Sequence, residues 1–302
     1  MQLTFLGTSA MVPTKERNVS GIFLDYKTEG ILFDCGEGTQ RQMNITGIKR
    51  SKVTKILISH WHGDHVSGII GLIQTMGSDQ VTHTVRIYGP TETKKRVEHM
   101  MQTCIFDQKI EIEVMELEPV GTEVLRFFEN ENYALECAAL DHKLPCIGFN
   151  FIQKDQLNVS MAKISKLGLS EGPYLRQIKE GKDVTVNGIK VLCKDVTYLK
   201  PGKKISYVAD TQTCEGALRL AENADILISE CVYASSTHQE KAEQYKHMSA
   251  KDAAMLANRA EAKKLILTHF SQRYKNTQDI EEEASMYFDN VICAEDFMKI
   301  KI

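Results

Sequence analysis

Residues 60–65 read His-Trp-His-Gly-Asp-His, so three of the chain's nine histidines and its only tryptophan fall within six positions. In an extended backbone His60 and His62, two apart, point to the same side. Gly63 permits a sharp turn. Asp64 and His65 then leave from the start of the next helix, where the positive end of the aligned peptide dipoles favours a carboxylate. The His-x-His pair can serve one cation and the Asp-His pair a second beside it. Imidazole nitrogen and carboxylate oxygen without thiolate suit Zn²⁺, Mn²⁺ or iron.

Donors of this kind converge only if rigid elements bring them together. Four apolar runs each stop at a residue able to bind metal: KILISH at His60, ECAALDH at His142, ISYVAD at Asp210 and KLILTH at His269. In layered α/β folds such groups gather where strands end and loops begin. The remaining pattern predicts strands over 3–9, 21–26, 30–36, 85–90, 110–118, 147–154, 225–233 and 291–302. Helices are predicted over 66–76, 91–102, 216–224, 249–262 and 277–288. Strands paired with helices through both halves imply an α/β fold of two face-to-face sheets with helices outside. Residues 154–183 are polar and carry Gly168, Gly172, Pro173 and Gly181; they read as an arm projecting from a single domain of residues 1–302.

A chain of 302 residues can bury about 75% of its unfolded surface, enough for a core without disulfides. The N-terminus has no basic leader, and no apolar run approaches the ~20 residues that span a bilayer. The eight cysteines include no C-x-x-C pair and read as reduced thiols of a cytoplasmic protein. Net charge is −3, but residues 151–204 hold ten Lys and one Arg against five acids, a local +6 on a body of −9. A basic segment on an acidic body is either a plain solvated Lys-rich surface or a face for a polyanion, and charge alone does not choose between them.

The HWHGDH stretch resembles the His-x-His-x-Asp-His signature of the metallo-β-lactamase fold. The resemblance implies an αβ/βα sandwich of two mixed β-sheets flanked by helices, with two cations on the rim. One would take His60, His62 and His142, the other Asp64, His65 and His269, with Asp210 bridging. The signature is silent about substrate, because that fold hosts many activities. Three further stretches, LFDCGEGTQRQ (32–42), PTKERN (13–18) and LTHFSQRY (267–274), resemble the short form of the ribonuclease Z family over nearly the whole chain. SEGPYLRQIKEGK (170–182) resembles that family's Gly-Pro arm, and HMSA (247–250) the loop of its catalytic histidine. Trp61 stands where Leu is more usual, and Gln212 where Arg is often found.

What this resemblance implies is a metal-dependent endoribonuclease, using two Zn²⁺ or Mn²⁺, that cuts the 3′ trailer from precursor tRNA. The products would be a tRNA 3′-OH and a trailer 5′-phosphate. A bound Zn²⁺ brings the pKa of water to about 7. Asp64 would ligate and also orient that water or take its proton. His247, with an unperturbed pKa of ~6.5, would protonate the leaving 3′ oxygen. Lys15, Arg17 and Asn18 would contact RNA near the cut, and Gly172, Pro173, Tyr174 and Arg176 would contact it on the arm. A homodimer would let one subunit's arm serve the other's site. His83, His99 and His238 read as structural. The alternative is a hydrolase or phosphodiesterase for small molecules on the same scaffold.

Overall fold

Strands that are apolar on both faces need cover on both. The chain supplies it with two stacked seven-stranded sheets and outer helices. The computed structural model describes residues 1–107 and 109–302. The first sheet runs, in spatial order, Lys299–Lys301, Gln2–Gly7, Gly21–Tyr26, Glu29–Phe33, Val53–Leu57, Val85–Gly89 and Ile112–Glu116. The second runs Val291–Cys293, Leu265–Thr268, Ile226–Glu230, Lys204–Val208, Cys146–Gln153, Tyr133–Leu140 and Leu125–Glu129. Each is mixed. Pairing in the first is antiparallel as far as Glu29–Phe33 and parallel beyond it. In the second it is parallel as far as Lys204–Val208 and antiparallel beyond.

Period-two alternation divides the burial. Leu3, Phe5, Ile22, Leu24, Ile31 and Phe33 face Leu135, Phe149 and Phe151 between the sheets. Phe33 meets the Tyr207 ring edge-on at 5.6 Å. The intervening Leu6, Phe23, Leu32 and Ile56 face outward onto the helix Ile69–Ser78, which buries Ile69, Leu72, Ile73 and Met76 at helical spacing. Outside the second sheet, the helix Ala250–Arg259 lays Ala253, Ala254 and Ala257 on the core, and a Ser249–Asp252 capping box fixes where it starts.

Several elements differ from the sequence expectation, the helix Thr39–Thr46 among them. The strand expected over 291–302 is two: Val291–Cys293 joins the second sheet and Lys299–Lys301 the first. Phe297, at φ 71°, turns the chain between them. Leu125–Glu129 is an unanticipated edge strand, and its half-exposed side chains explain the weak apolar signal. The largely polar helix Ser235–Tyr245 was likewise silent in the apolar pattern.

Residues 154–183 belong to a unit that continues to Lys200. The strands Gln156–Val159 and Thr197–Lys200 pair at its base. Above them lie the helices Met161–Lys166 and Tyr174–Lys179 and the hairpin Val184–Val186/Ile189–Val191. Ile164, Leu169, Ile178, Val184, Val191 and Val196 form a small apolar core of its own. All eight cysteines are free thiols; six are buried, Cys214 is half-buried and Cys104 exposed.

Candidate active site

All seven expected donors meet at one rim of the sandwich. They lie just past the strands Val53–Leu57, Tyr133–Leu140, Lys204–Val208 and Leu265–Thr268 rather than on them. His60, His62, His142 and Asp210 offer ligand atoms within 4.8 Å of one another, as do Asp64, His65 and His269. His60 Nε2 lies 2.8 Å from His62 Nδ1 and 3.7 Å from Asp210 Oδ2. His65 Nε2 lies 3.2 Å from His269 Nε2, 3.4 Å from Asp64 Oδ2 and 3.6 Å from Asp210 Oδ1. The two Asp210 oxygens therefore face the two groups separately.

Close backbone approach sets this geometry. A Cβ on Gly36 would lie 2.2 Å from Asp64 O, and one on Gly68 2.1 Å from Gly36 O. The FDCGEG stretch and the loop of Asp64 and His65 can pack only through glycine. Met11, Asp34 and His269 adopt left-handed φ values of 61°, 54° and 62°, a costly backbone state that concentrates at functional sites. For Met11 the turn aims its N–H at Asp64 Oδ2, 2.7 Å away.

A second ring of groups, not singled out in the sequence, fixes the imidazoles. Asp34 is fully buried. It accepts from the Ser59 N–H, the Ser59 hydroxyl and the Tyr207 hydroxyl, and its Oδ2 lies 2.8 Å from His65 Nδ1. The Ser59 hydroxyl also lies 3.0 Å from His60 Nδ1, and His142 Nδ1 lies 3.2 Å from Lys246 O. With Nδ1 tied back, the Nε2 atoms turn to the rim, the arrangement that orients metal-ligating histidines.

Burial holds His60 well below its usual pKa and lowers His62 and His142, which favours the neutral, coordinating form. His65 goes the other way: burial alone would lower its pKa, but Asp210, Asp34 and Asp64 outweigh that and raise it well above the usual value, so this position attracts positive charge. Asp64 stays ionised far below the usual carboxylate range, because His65 and His269 outweigh desolvation. His142 Nε2, Asp210 Oδ1 and His269 Nδ1 are buried with no hydrogen-bond partner, a cost that native proteins otherwise avoid. Orphaned donors of this chemistry, arranged in two groups about a shared carboxylate, fit two divalent cations.

His247 joins the same rim. Its Nδ1 lies 3.1 Å from both oxygens of Glu230, a buried carboxylate that also accepts from Thr211 N. Burial lowers the His247 pKa, but Glu230 and then Asp210 outweigh it and push it up to about 9. The cleft has a volume of about 630 Å³. Met11, Lys143, Tyr233, Tyr245 and Arg273 also line it; of these only Arg273 lies in a stretch quoted from the sequence, LTHFSQRY. Lys143 Nζ sits 4.6 Å from the Tyr245 ring centre. A larger groove of about 800 Å³, beside the helix Gln278–Ser285, contains none of the seven donors.

The residues expected to contact RNA are dispersed. Lys15 is exposed. Arg17 spends its guanidinium on Ser271 O and Tyr274 O, and Asn18 donates to Glu37 O and Asp296. Gly172, Pro173, Tyr174 and Arg176 lie on the separate unit, where exposed Arg176 pairs with Glu180 at 3.3 Å and the Tyr174 hydroxyl donates to Ser170 O. His83 bonds Val53 O, His238 lies against Tyr274, and His99 is exposed; none takes part in the cluster.

Residues 1–161 match the family described as Anti-Pycsar protein Apyc1, a span that holds the donors from His60 to His142 but not Asp210, His247 or His269. Human tRNase Z, short form, superposes with a TM-score of 0.74 at 28% identity, covering 100% of this chain and 99% of that one. Ribonuclease Z of Thermobifida fusca is 36% identical over 306 residues, covering 100% of this chain and 94% of that protein. Ribonuclease Z of Chlamydia muridarum is 37% identical over 296 residues, 98% of this chain and 95% of its own. Identity of this order over the whole length shows that the chain belongs to the ribonuclease Z family, on a metallo-β-lactamase fold.

Proposed function

We propose that the chain is a metal-dependent endoribonuclease that cuts the 3′ trailer from precursor tRNA, leaving a tRNA 3′-OH and a trailer 5′-phosphate. The observation that carries this reading is the convergence of seven His and Asp donors beside the buried Glu230–His247 pair. Family membership gives the substrate class. His60, His62 and His142 would hold one cation and Asp64, His65 and His269 the other, with Asp210 placed to serve both. Two Zn²⁺, or Mn²⁺ in their place, would supply the Lewis acidity that activates water and the scissile phosphodiester near neutral pH. Asp64, ionised and held by Met11 N, orients the attacking water. His247, kept protonated by Glu230 on Nδ1, gives its Nε2 proton to the leaving 3′ oxygen.

In this reading the chain is one domain of residues 1–302, and the arm over 154–183 grips the tRNA. Gly172, Pro173, Tyr174 and Arg176 meet its backbone, and the local +6 charge steers it by shape and phosphate contact. Lys15 reaches phosphates near the cut, while Arg17 and Asn18 hold its loop in place. A homodimer lets one subunit's arm serve the other's cleft. A cytoplasmic location suits eight unpaired thiols and a tRNA substrate. No helix among the described residues is long and apolar enough to cross a membrane.

End-labelled precursor tRNA, incubated with Zn²⁺ or Mn²⁺, tests the reading. A single cut at the 3′ end of the tRNA body, leaving 3′-OH, is expected. Uncut RNA with rapid hydrolysis of bis(p-nitrophenyl) phosphate would favour the small-molecule phosphodiesterase instead.

A further inference from the structure

Three rim segments carry the working groups of the cleft. Residues 141–142 bring His142, residues 210–212 bring Asp210, and residues 246–247 bring His247. One half-exposed carboxylate, Asp141, touches all three. Its Oδ1 accepts from Lys246 Nζ at 2.6 Å, and its Oδ2 accepts from Gln212 Nε2. Its backbone adds two bonds to the same neighbours: Asp141 N donates to the Thr211 hydroxyl at 2.9 Å, and Gln212 N donates to Asp141 O at 3.1 Å. From the other side, Lys246 O lies 3.2 Å from His142 Nδ1.

Lys246 ends the helix Ser235–Tyr245 in the left-handed conformation, at φ 57° and ψ 53°. Helices commonly end this way on glycine, and a residue with a Cβ costs roughly 1–2 kcal/mol there. Backbone geometry alone would therefore favour glycine at 246. The lysine found there reaches Asp141 with its amine. Stability does not account for that contact. The two side chains are 39% and 41% exposed, and pairs this open contribute about 0–1 kcal/mol. What the contact does fix is registry. Lys246 is one residue from the acid, Asp141 one from a ligand, and Gln212 two from the shared carboxylate.

We propose that Asp141, clamped by Lys246 and Gln212, is a positioning residue that sets the His247 imidazole against His142 and Asp210. The inference rests on the reading of this cleft as a phosphodiester-cutting centre with His247 as proton donor. The clamp joins His142 and His247 by side chains that touch neither ring, so its loss loosens the acid without removing a ligand. A misplacement of about 1 Å at a catalytic group can slow a reaction ~100-fold, and a loosened loop should cost less than that.

The test compares Asp141→Ala, Lys246→Gly, their double mutant and Lys246→Arg with the parent, all as full-length, metal-loaded protein. Melting temperature, bound metal, RNA affinity and the single-turnover rate at saturating precursor tRNA are measured. Each of the first two should cut about 10-fold slower, with metal content and RNA affinity within twofold of the parent. Melting temperature should hold for Asp141→Ala and hold or rise for Lys246→Gly. The double mutant should be no slower than either single, because both remove one contact, and Lys246→Arg should recover most of the rate. Rates within twofold of the parent, metal or RNA affinity lost in step with rate, or a double mutant near 100-fold would overturn the clamp. A parent that leaves the RNA uncut overturns the functional reading. The clamp is then judged by the imidazole NMR signals of Zn²⁺-loaded protein. One sharp His247 set in the parent and a broadened or doubled set in both single variants support it; unchanged signals overturn it.

Discussion

Four imidazoles of the cleft, His60, His65, His142 and His247, spend one nitrogen on the protein and offer the other to the rim. Asp34 carries the heaviest share of that work, since Ser59, Tyr207 and His65 all converge on it. Asp34→Asn keeps the shape but puts an amide where three partners need an acceptor. Metal affinity should fall 10–100-fold, the usual effect of removing such a partner. A metal titration followed by the fluorescence of Trp61, flanked by His60 and His62, reads this out, and an unchanged midpoint would count against Asp34 as the anchor. Asp210→Ala removes the one carboxylate that faces both donor groups. It should lose most of its metal and nearly all cleavage while staying folded; two cations still bound with full activity would refute the shared role. His247→Ala, by contrast, should keep metal and RNA affinity while slowing cleavage by about 10²–10⁴, the scale of general acid catalysis. Metal lost in parallel would make His247 a ligand. The donors were legible because His-x-His-x-Asp-His is a local spacing and the other ligands close apolar strands. Asp34, Ser59 and Glu230 were not. A buried carboxylate or hydroxyl is ordinary in sequence, and its meaning lies in partners far along the chain, as with Asp34 and Tyr207.

The secondary elements divide the chemistry from the proposed grip on RNA. The segments just past the strands that end at the rim carry the donors, and the unit over 156–200 carries its own small core. Its base is narrow: Gly202 N donates to Asp155 Oδ1 at 2.8 Å, so the chain enters and leaves side by side. Joining Asp155 to Pro201 through a short glycine link should leave the sandwich folded. The shortened protein should still hydrolyse bis(p-nitrophenyl) phosphate near the parent rate, bind precursor tRNA weakly, and show a shallower salt dependence, because each lost phosphate contact removes counterion release. Unchanged tRNA binding and salt slope would show the basic unit to be a plain solvated surface. Strands with apolar residues on both faces, such as Val53–Leu57, declared themselves in the sequence. The edge strand Leu125–Glu129 did not, because half-exposed positions leave no alternation to read. The expectation of one strand over 291–302 failed because its alternation runs on through the turn at Phe297 that carries the chain to the other sheet.

That turn also ties the whole molecule together. Asp296 sits within it and accepts from the Thr8 hydroxyl, Asn18 N and Gln42 Nε2, linking the C-terminal crossing to the first strand and the loop of Lys15. Burial outweighs these donors and pushes its carboxyl up to about 6. The unfolded chain releases that proton near pH 4. Between about pH 4 and 6 the folded state binds more protons, so stability falls as pH rises and then levels. Asp296→Asn cannot titrate, so denaturant midpoints should move in the variant's favour, relative to the parent, as pH rises from 4 to 6 and not beyond. A pH-independent gap between the two would contradict this.

The central claim is that the seven donors form a two-cation centre on which RNA cleavage depends. The most direct measurement strips the protein with a chelator and returns Zn²⁺ or Mn²⁺ in steps, recording bound metal per chain and precursor-tRNA cleavage in the same samples. Cleavage should be absent in the stripped protein and reach its full rate as occupancy reaches two per chain, with Asp210→Ala failing at every step. Full cleavage by the metal-free protein, or by Asp210→Ala, would contradict the account.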